Sequence, residues 1–235
     1  MTLQEVMAEL EQLGTEQTRK TWLKHGAVGE IFGVKIGDMK TIQKKIKKDH
    51  ALALELYKTG NTDAMYFAGL ICDPKQMTKK QLQEWAEKAT WSMLSEYTVA
   101  WAAAESRYGR ELALEWIDTK AELFQASGWN TYSSLLALVP DEVLDIKEIE
   151  SLLHRIEKTI HAQGERVKYT MNGFVIAVGT YVPSLHNKAK ATGAAIGKVS
   201  VDMGGTACKV PDAVACIKKV EGMGKIGQKR KTVFC

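Results

Sequence analysis

Apolar residues recur along this chain at helical spacing. Leu52, Leu54, Leu56 and Tyr57 make one group, Met65, Phe67, Ala68, Leu70 and Ile71 the next, and Leu82, Trp85 and Ala86 a third. Helix-start signals fall between the groups. Thr2 with Glu5 and Thr78 with Gln81 read as capping boxes, Asp145 with Glu148 follows the same logic, and Asp38 and Asp49 stand where N-caps belong. Gly14, Gly26 and Gly60 mark helix ends. The pattern predicts helices over about 2–13, 15–25, 38–48, 50–59, 62–72, 79–89, 91–105, 109–117, 121–126, 130–138, 146–163, 166–181, 184–196 and 212–221. Short connections favour antiparallel neighbours. Gly173 and Gly179 read as sites of close helix approach. No sharp repeat motif is present, which excludes consensus tetratricopeptide and ankyrin arrays, and leaves loose HEAT-like pairs of about 40 residues.

One segment breaks the helical period. In residues 198–210, KVSVDMGGTACKV, Val199 and Val201 alternate with Ser200 and Asp202, and Thr206 and Cys208 with Ala207 and Lys209, around Gly204-Gly205. This predicts a β-hairpin, because glycine adopts positive φ cheaply. The expected fold class is therefore all-α, a HEAT-like helical-repeat solenoid with one β-hairpin inserted near the C-terminus. One domain is expected over 1–235, ending in a basic tail at 225–235.

Charge sharpens this picture. The chain carries a formal +4, yet from His186 to Cys235 nine Lys and one Arg face three acidic residues, a net of +7 that leaves −3 for the rest. Positive charge concentrated around the predicted hairpin points to an anionic partner. No apolar run spans a membrane. The N-terminus has no signal-peptide core. The four scattered cysteines read as reduced thiols, so a cytoplasmic location is expected. The histidines are dispersed; His154 and His161 lack a third ligand, and GMGKIG at 222–227 lacks P-loop spacing. No metal or cofactor is expected.

Four stretches carry a family resemblance: IFGVKIGDMKTIQKKIKKDHALALELYKTGNTDAMYFAGLI at 31–71, TWSMLSEYTVAWAAAESRYG at 90–109, RVKYTMNGFVIAVGTYV at 166–182 and GKVSVDMGGTACKVP at 197–211. The sequence resembles the DNA alkylation-repair proteins of the AlkD type, helical-repeat proteins that cradle DNA in a positively charged concave groove. The hairpin segment looks more like the AlkF-type branch, regarded as DNA binders without clear glycosylase activity. The AlkD glycosylases use a Trp and an Asp one helical turn apart, with a Trp and an Arg from later repeats. Such chemistry sets a carboxylate near a developing oxocarbenium ion and aromatic faces around a cationic base.

Here the matching segment runs from Trp91 to Tyr97, in two registers. One keeps the carboxylate, Glu96, and puts Ser92 at the Trp position. The other keeps Trp91 and puts Ser95 at the Asp position. Trp91 and Glu96 lie about 140° apart on a regular helix. The later Arg position falls near Tyr169, and the second Trp position near Lys198. Glu96 is the candidate catalytic residue. Candidate DNA contacts are Trp91, Tyr97 and Trp101 on an aromatic stripe that continues to Glu105, Asn172 inside an apolar helix, and Lys198 and Lys209 flanking the hairpin. A basic stripe at Lys40, Lys44, Lys47 and Lys48 joins them. If roughly six cations neutralise phosphates, the log–log salt slope of duplex binding is about −5.

The incomplete Trp/carboxylate pair and the basic hairpin region favour a protein that binds duplex or branched DNA with little or no glycosylase activity, and a monomer is expected. A monofunctional N3/N7-alkylpurine glycosylase and a protein-binding helical scaffold are the alternatives.

Overall fold

The computed structural model describes residues 1–205 and 208–234. Its helices are α1 (Leu3–Leu13), α2 (Glu16–Lys24), α3 (Ile36–Ile46), α4 (His50–Lys58), α5 (Thr62–Ile71), α6 (Lys79–Lys88), α7 (Ala100–Glu105), α8 (Gly109–Ile117), α9 (Glu122–Leu138), α10 (Ile146–Thr159), α11 (Glu165–Tyr181), α12 (His186–Ile196) and α13 (Ala213–Gly222). Short 3-10 turns lie between some of them, and a π-helical turn at Leu94–Val99 leads into α7.

The predicted caps form where side-chain oxygens meet the unpaired amides of a first turn. Both capping boxes are made, and Asp49 and Asp145 cap α4 and α10. Asp38 does not cap: α3 starts earlier, from Lys35, and Asp38 lies in its first turn. The predicted break near residue 128 is absent, and α9 runs through it. Gly128 is there for packing: a Cβ would stand 2.6 Å from the Ile117 amide nitrogen of α8. Gly179 likewise lets α13 approach, through Ile217, whereas nothing crowds Gly173.

Helices pair as α4 with α5, α8 with α9, and α11 with α12. An inner row runs α5, the π turn with α7, α9, α11 and α13, each packed on the next. Every residue of α5 is buried, whereas α10 of the outer row is amphipathic. Two apolar clusters meet at α8, where Trp116 belongs to the first, and Ala113 and Ile117 to the second.

Segment 198–210 departs from expectation. Gly204 and Gly205 turn with φ of +66° and +67°, as predicted, but the described residues form no strand. A strand amide that a ladder could use is engaged elsewhere, Asp202 N–H donating to the Glu165 carboxylate at 2.6 Å, and within the turn Gly204 N–H donates to Asp202 Oδ1 at 2.9 Å. An isolated two-stranded ladder is marginal in water, and anchorage to the helical body takes its place. Thr206 and Ala207 of the predicted second strand lie outside the described residues. The segment is an arm whose tip reaches α2, where a Cβ on Gly204 would stand 2.3 Å from the Lys24 carbonyl oxygen.

The basic tail is docked. Gly227 N–H donates to Thr180 O at 2.8 Å and Arg230 N–H to Ala137 O at 2.7 Å. The Lys229 ammonium uses three donors on Leu136 O, Tyr181 O and the Asp141 carboxylate, at 2.9, 2.7 and 2.8 Å. It thereby caps the carbonyl ends of α9 and α11 together, where the helix dipole favours a cation. Val233 N–H donates to the Glu105 carboxylate at 2.8 Å, its side chain is buried, and Phe234 packs on the first apolar cluster.

Candidate nucleic-acid interface

The start of α11 meets the arm through Glu165 and Arg166, and the start of α9 lies beside it. The Arg166 backbone N–H, at the start of α11, donates to Glu122 Oε1 at 2.8 Å at the start of α9. The Arg166 guanidinium reaches the π turn and grips Glu96 in a fork, Nε to Oε1 at 2.7 Å and Nη2 to Oε2 at 2.6 Å. Glu96 is only 1% exposed. Burial drives its carboxyl above the ordinary value, and the Arg166 fork pulls it back. Arg166 is held above its usual range: burial lowers it, and the Glu96 carboxylate more than compensates. The other face of the guanidinium lies over the Tyr169 ring, 4.5 Å from its centroid.

The π turn changes the phase assumed for a regular helix, so the 140° separation of Trp91 and Glu96 does not carry over. Two carbonyls of this turn are taken by α9: Ser127 Oγ donates to Ser95 O at 2.9 Å, and Asn130 Nδ2 donates to Glu96 O. α9 thus fixes the backbone that carries Glu96.

Beside the ion pair lies a cavity of about 480 Å³. Trp22, Trp91, Tyr97 and Tyr169 wall it, and the arm contributes Met203 and Gly204. Trp91 is buried, its ring 5.5 Å from that of Trp22 and its indole N–H donating to His25 O at 2.9 Å. Tyr97 meets Trp101 edge-on at 5.2 Å, and Trp101 meets Phe234 at 5.7 Å. The aromatic stripe therefore runs from the cavity to the docked tail, where Glu105 receives Val233.

Asn172 is not at a surface. It is buried, and its Nδ2 donates to Pro211 O at 2.9 Å, anchoring the root of the arm. The lysine stripe is not one helical face. α3 ends at Ile46, and Lys47 turns the chain with φ of +63°, so Lys47 and Lys48 leave the helical register. Lys48 donates to Cys72 O at 2.6 Å and lies over the Phe234 ring. Lys44 and Lys47 are exposed, Lys40 is half-buried, and neighbouring Lys45 pairs with Glu9 at 2.9 Å. Lys198 and Lys209 are exposed on the arm. Among the described residues no group of three His, Cys, Asp or Glu could hold a metal, and no helix is long and apolar enough to cross a membrane.

The residue missed in the sequence is Arg166, one turn before Tyr169. It is the sole Arg between Arg155 and Arg230 and opens a helix, which could have marked it. Nothing in the sequence pointed to Trp22.

Glu165 ties the arm to this site. Its ion pair with Lys168 at 2.9 Å and the Asp202 amide hold its carboxyl below the ordinary 4.5. A depressed acid contributes stability above its unfolded value that is lost as pH falls through the folded one. The Asp202 amide is therefore expected to be protected from hydrogen exchange at neutral pH and to lose protection below about pH 4.5. Protection that persists unchanged to about pH 2 would break this link.

A stack of helix pairs whose inner row carries such a site defines a HEAT-like helical-repeat protein. A solved structure from a family of proteins related to the HEAT-like repeat DNA glycosylases, with affinity for branched DNA structures, superposes with a TM-score of 0.90 at 40% identity over 100% of both chains. The chain belongs to the DNA alkylation repair enzyme family, whose pattern matches residues 6–194. It is 34% identical over 225 residues to an uncharacterized protein of Listeria innocua serovar 6a, covering 93% of this chain and 97% of that one. It is also 34% identical over 231 residues to one of Listeria monocytogenes serovar 1/2a, covering 96% and 100%.

Proposed function

We propose that this protein is a monomeric, cytoplasmic DNA-binding member of its family, closest to the AlkF-type branch. It binds branched DNA in preference to plain duplex and has little or no glycosylase activity. The observation that carries the reading is the closed Glu96–Arg166 pair. A glycosylase carboxylate must approach a developing oxocarbenium ion, and here both carboxylate oxygens accept from one guanidinium in a buried setting. Preference for branched DNA is supported by the 40% identity to the full-length structural neighbour. The exposed Lys198 and Lys209 of the arm, with Lys40, Lys44 and Lys47, supply phosphate contacts.

Gel shifts over a salt series test this. Three-way and four-way junctions are expected to bind more tightly than duplex of equal length. Alanine at both Lys198 and Lys209 is expected to reduce the salt slope by about two. No 7-methylguanine is released from methylated DNA. Equal affinity for junction and duplex overturns the branched-DNA preference, base release lost in Glu96→Gln establishes a glycosylase, and salt-independent or absent binding leaves a protein scaffold.

A further inference from the structure

Resting on that reading, we propose that the cavity beneath the arm receives one unpaired, uncharged nucleobase of the bound DNA. Its walls are aromatic rings contributed by three separate parts of the chain: Trp22, Trp91 with Tyr97, and Tyr169. Its volume, about 480 Å³, is that of a small-ligand site. The fork on Glu96 consumes Arg166 Nε and Nη2. Among the described residues Nη1 meets only the thioether sulfur of Met203, at 3.9 Å. A thioether is a weak acceptor, so the Nη1 hydrogens are available to the carbonyl oxygen or ring nitrogen of a base edge.

The charge pattern selects among ligands. Arg166 is neutralised by Glu96, and the rim holds Glu165 and Asp202 against Lys24. A phosphate placed inside would lose hydration without gaining an unneutralised cation. A cationic base would meet the Arg166 guanidinium with the Glu96 carboxylate turned away from it. A flat neutral base stacks on the rings and accepts from Nη1. Unpaired bases occur where strands part, as at a junction, while the exposed Lys198 and Lys209 on the same arm are placed for the flanking phosphates.

The test uses 2-aminopurine at an unpaired position of a three-way junction, with the same base inside a duplex and as the free riboside. Anisotropy of a distant dye reports binding separately. Wild-type protein is expected to quench the junction probe and to leave the duplex probe and the riboside unchanged. Tyr169→Ala loses the quenching and weakens junction binding about fivefold or more, whereas Tyr169→Phe keeps both, which shows that the fold tolerates change here. Junction binding by anisotropy without quenching overturns the base receptor and leaves the preference for branched DNA standing. Equal quenching of the free riboside, or unchanged quenching in Tyr169→Ala, overturns it as well. No preference for the junction by anisotropy removes both readings together.

Discussion

Arg166→Ala is expected to lower stability by about 3–5 kcal/mol, because it leaves the buried Glu96 carboxylate without a counter-charge. For a chain of this length the fall in Tm is about 10 °C. Glu96→Gln costs less, since an amide still accepts one N–H and the exposed edge of Arg166 reaches solvent. Replacing both partners, Glu96→Leu with Arg166→Met, is expected to recover most of the loss, because a buried ion pair contributes little beyond an apolar pair of similar volume. Urea denaturation of the four proteins checks the order. A loss below about 1 kcal/mol in Arg166→Ala would mean that the pair is solvated in solution and that Glu96 can reach a ligand.

Asp63→Ala is the second large effect. Asp63 is 2% exposed, and its carboxylate accepts three successive backbone amides, Phe32 at 2.7 Å, Gly33 at 3.0 Å and Val34 at 2.9 Å. These hold the chain between α2 and α3 against the start of α5, where the helix dipole also favours an anion. Removing the carboxylate strands buried donors at about 1–3 kcal/mol each, for a total of at least about 3 kcal/mol. Asp63→Asn is expected to fall between, since one amide oxygen replaces two. Amide exchange at Gly33 and Val34 should rise in step with the loss; unchanged exchange would show that other groups hold this segment.

The helices were legible because their apolar period and caps are local. Thr2, Thr78 and Asp49 make the predicted bonds within their own first turns. The break expected between 126 and 130 is absent for a reason outside the helix: Gly128 answers the close pass of α8, which is invisible along α9 alone. The arm misled in a similar way. Its Gly-Gly turn is local and was read correctly, whereas the Glu165 carboxylate that takes the Asp202 amide lies 37 residues away. At the site, Glu96 and Trp91 were read from the family resemblance, and Tyr97 from the helical face it shares with Trp101 and Glu105. Glu96 came from one of two registers of that resemblance, and its angular separation from Trp91 holds only on a regular helix, a premise that the π turn removes. Arg166 sits 70 residues from its partner, beyond the reach of any spacing rule. Asn172 looked like a groove-facing polar residue because a buried amide and an exposed one read alike until the Pro211 carbonyl is seen.

A stack of helix pairs is ordinarily quasi-one-dimensional: each repeat feels only its neighbours, and the end can fray alone. The docked C-terminal residues cancel that property. Through Lys229, Val233 and Phe234 one strand of chain joins α11 and α9 to α7 and to the cluster built by the first helices. Opening α7, α9 or α11 then strains contacts that the tail makes to the other two, so these inner helices and the N-terminal cluster hold their mutual angles collectively, as a strut holds a frame.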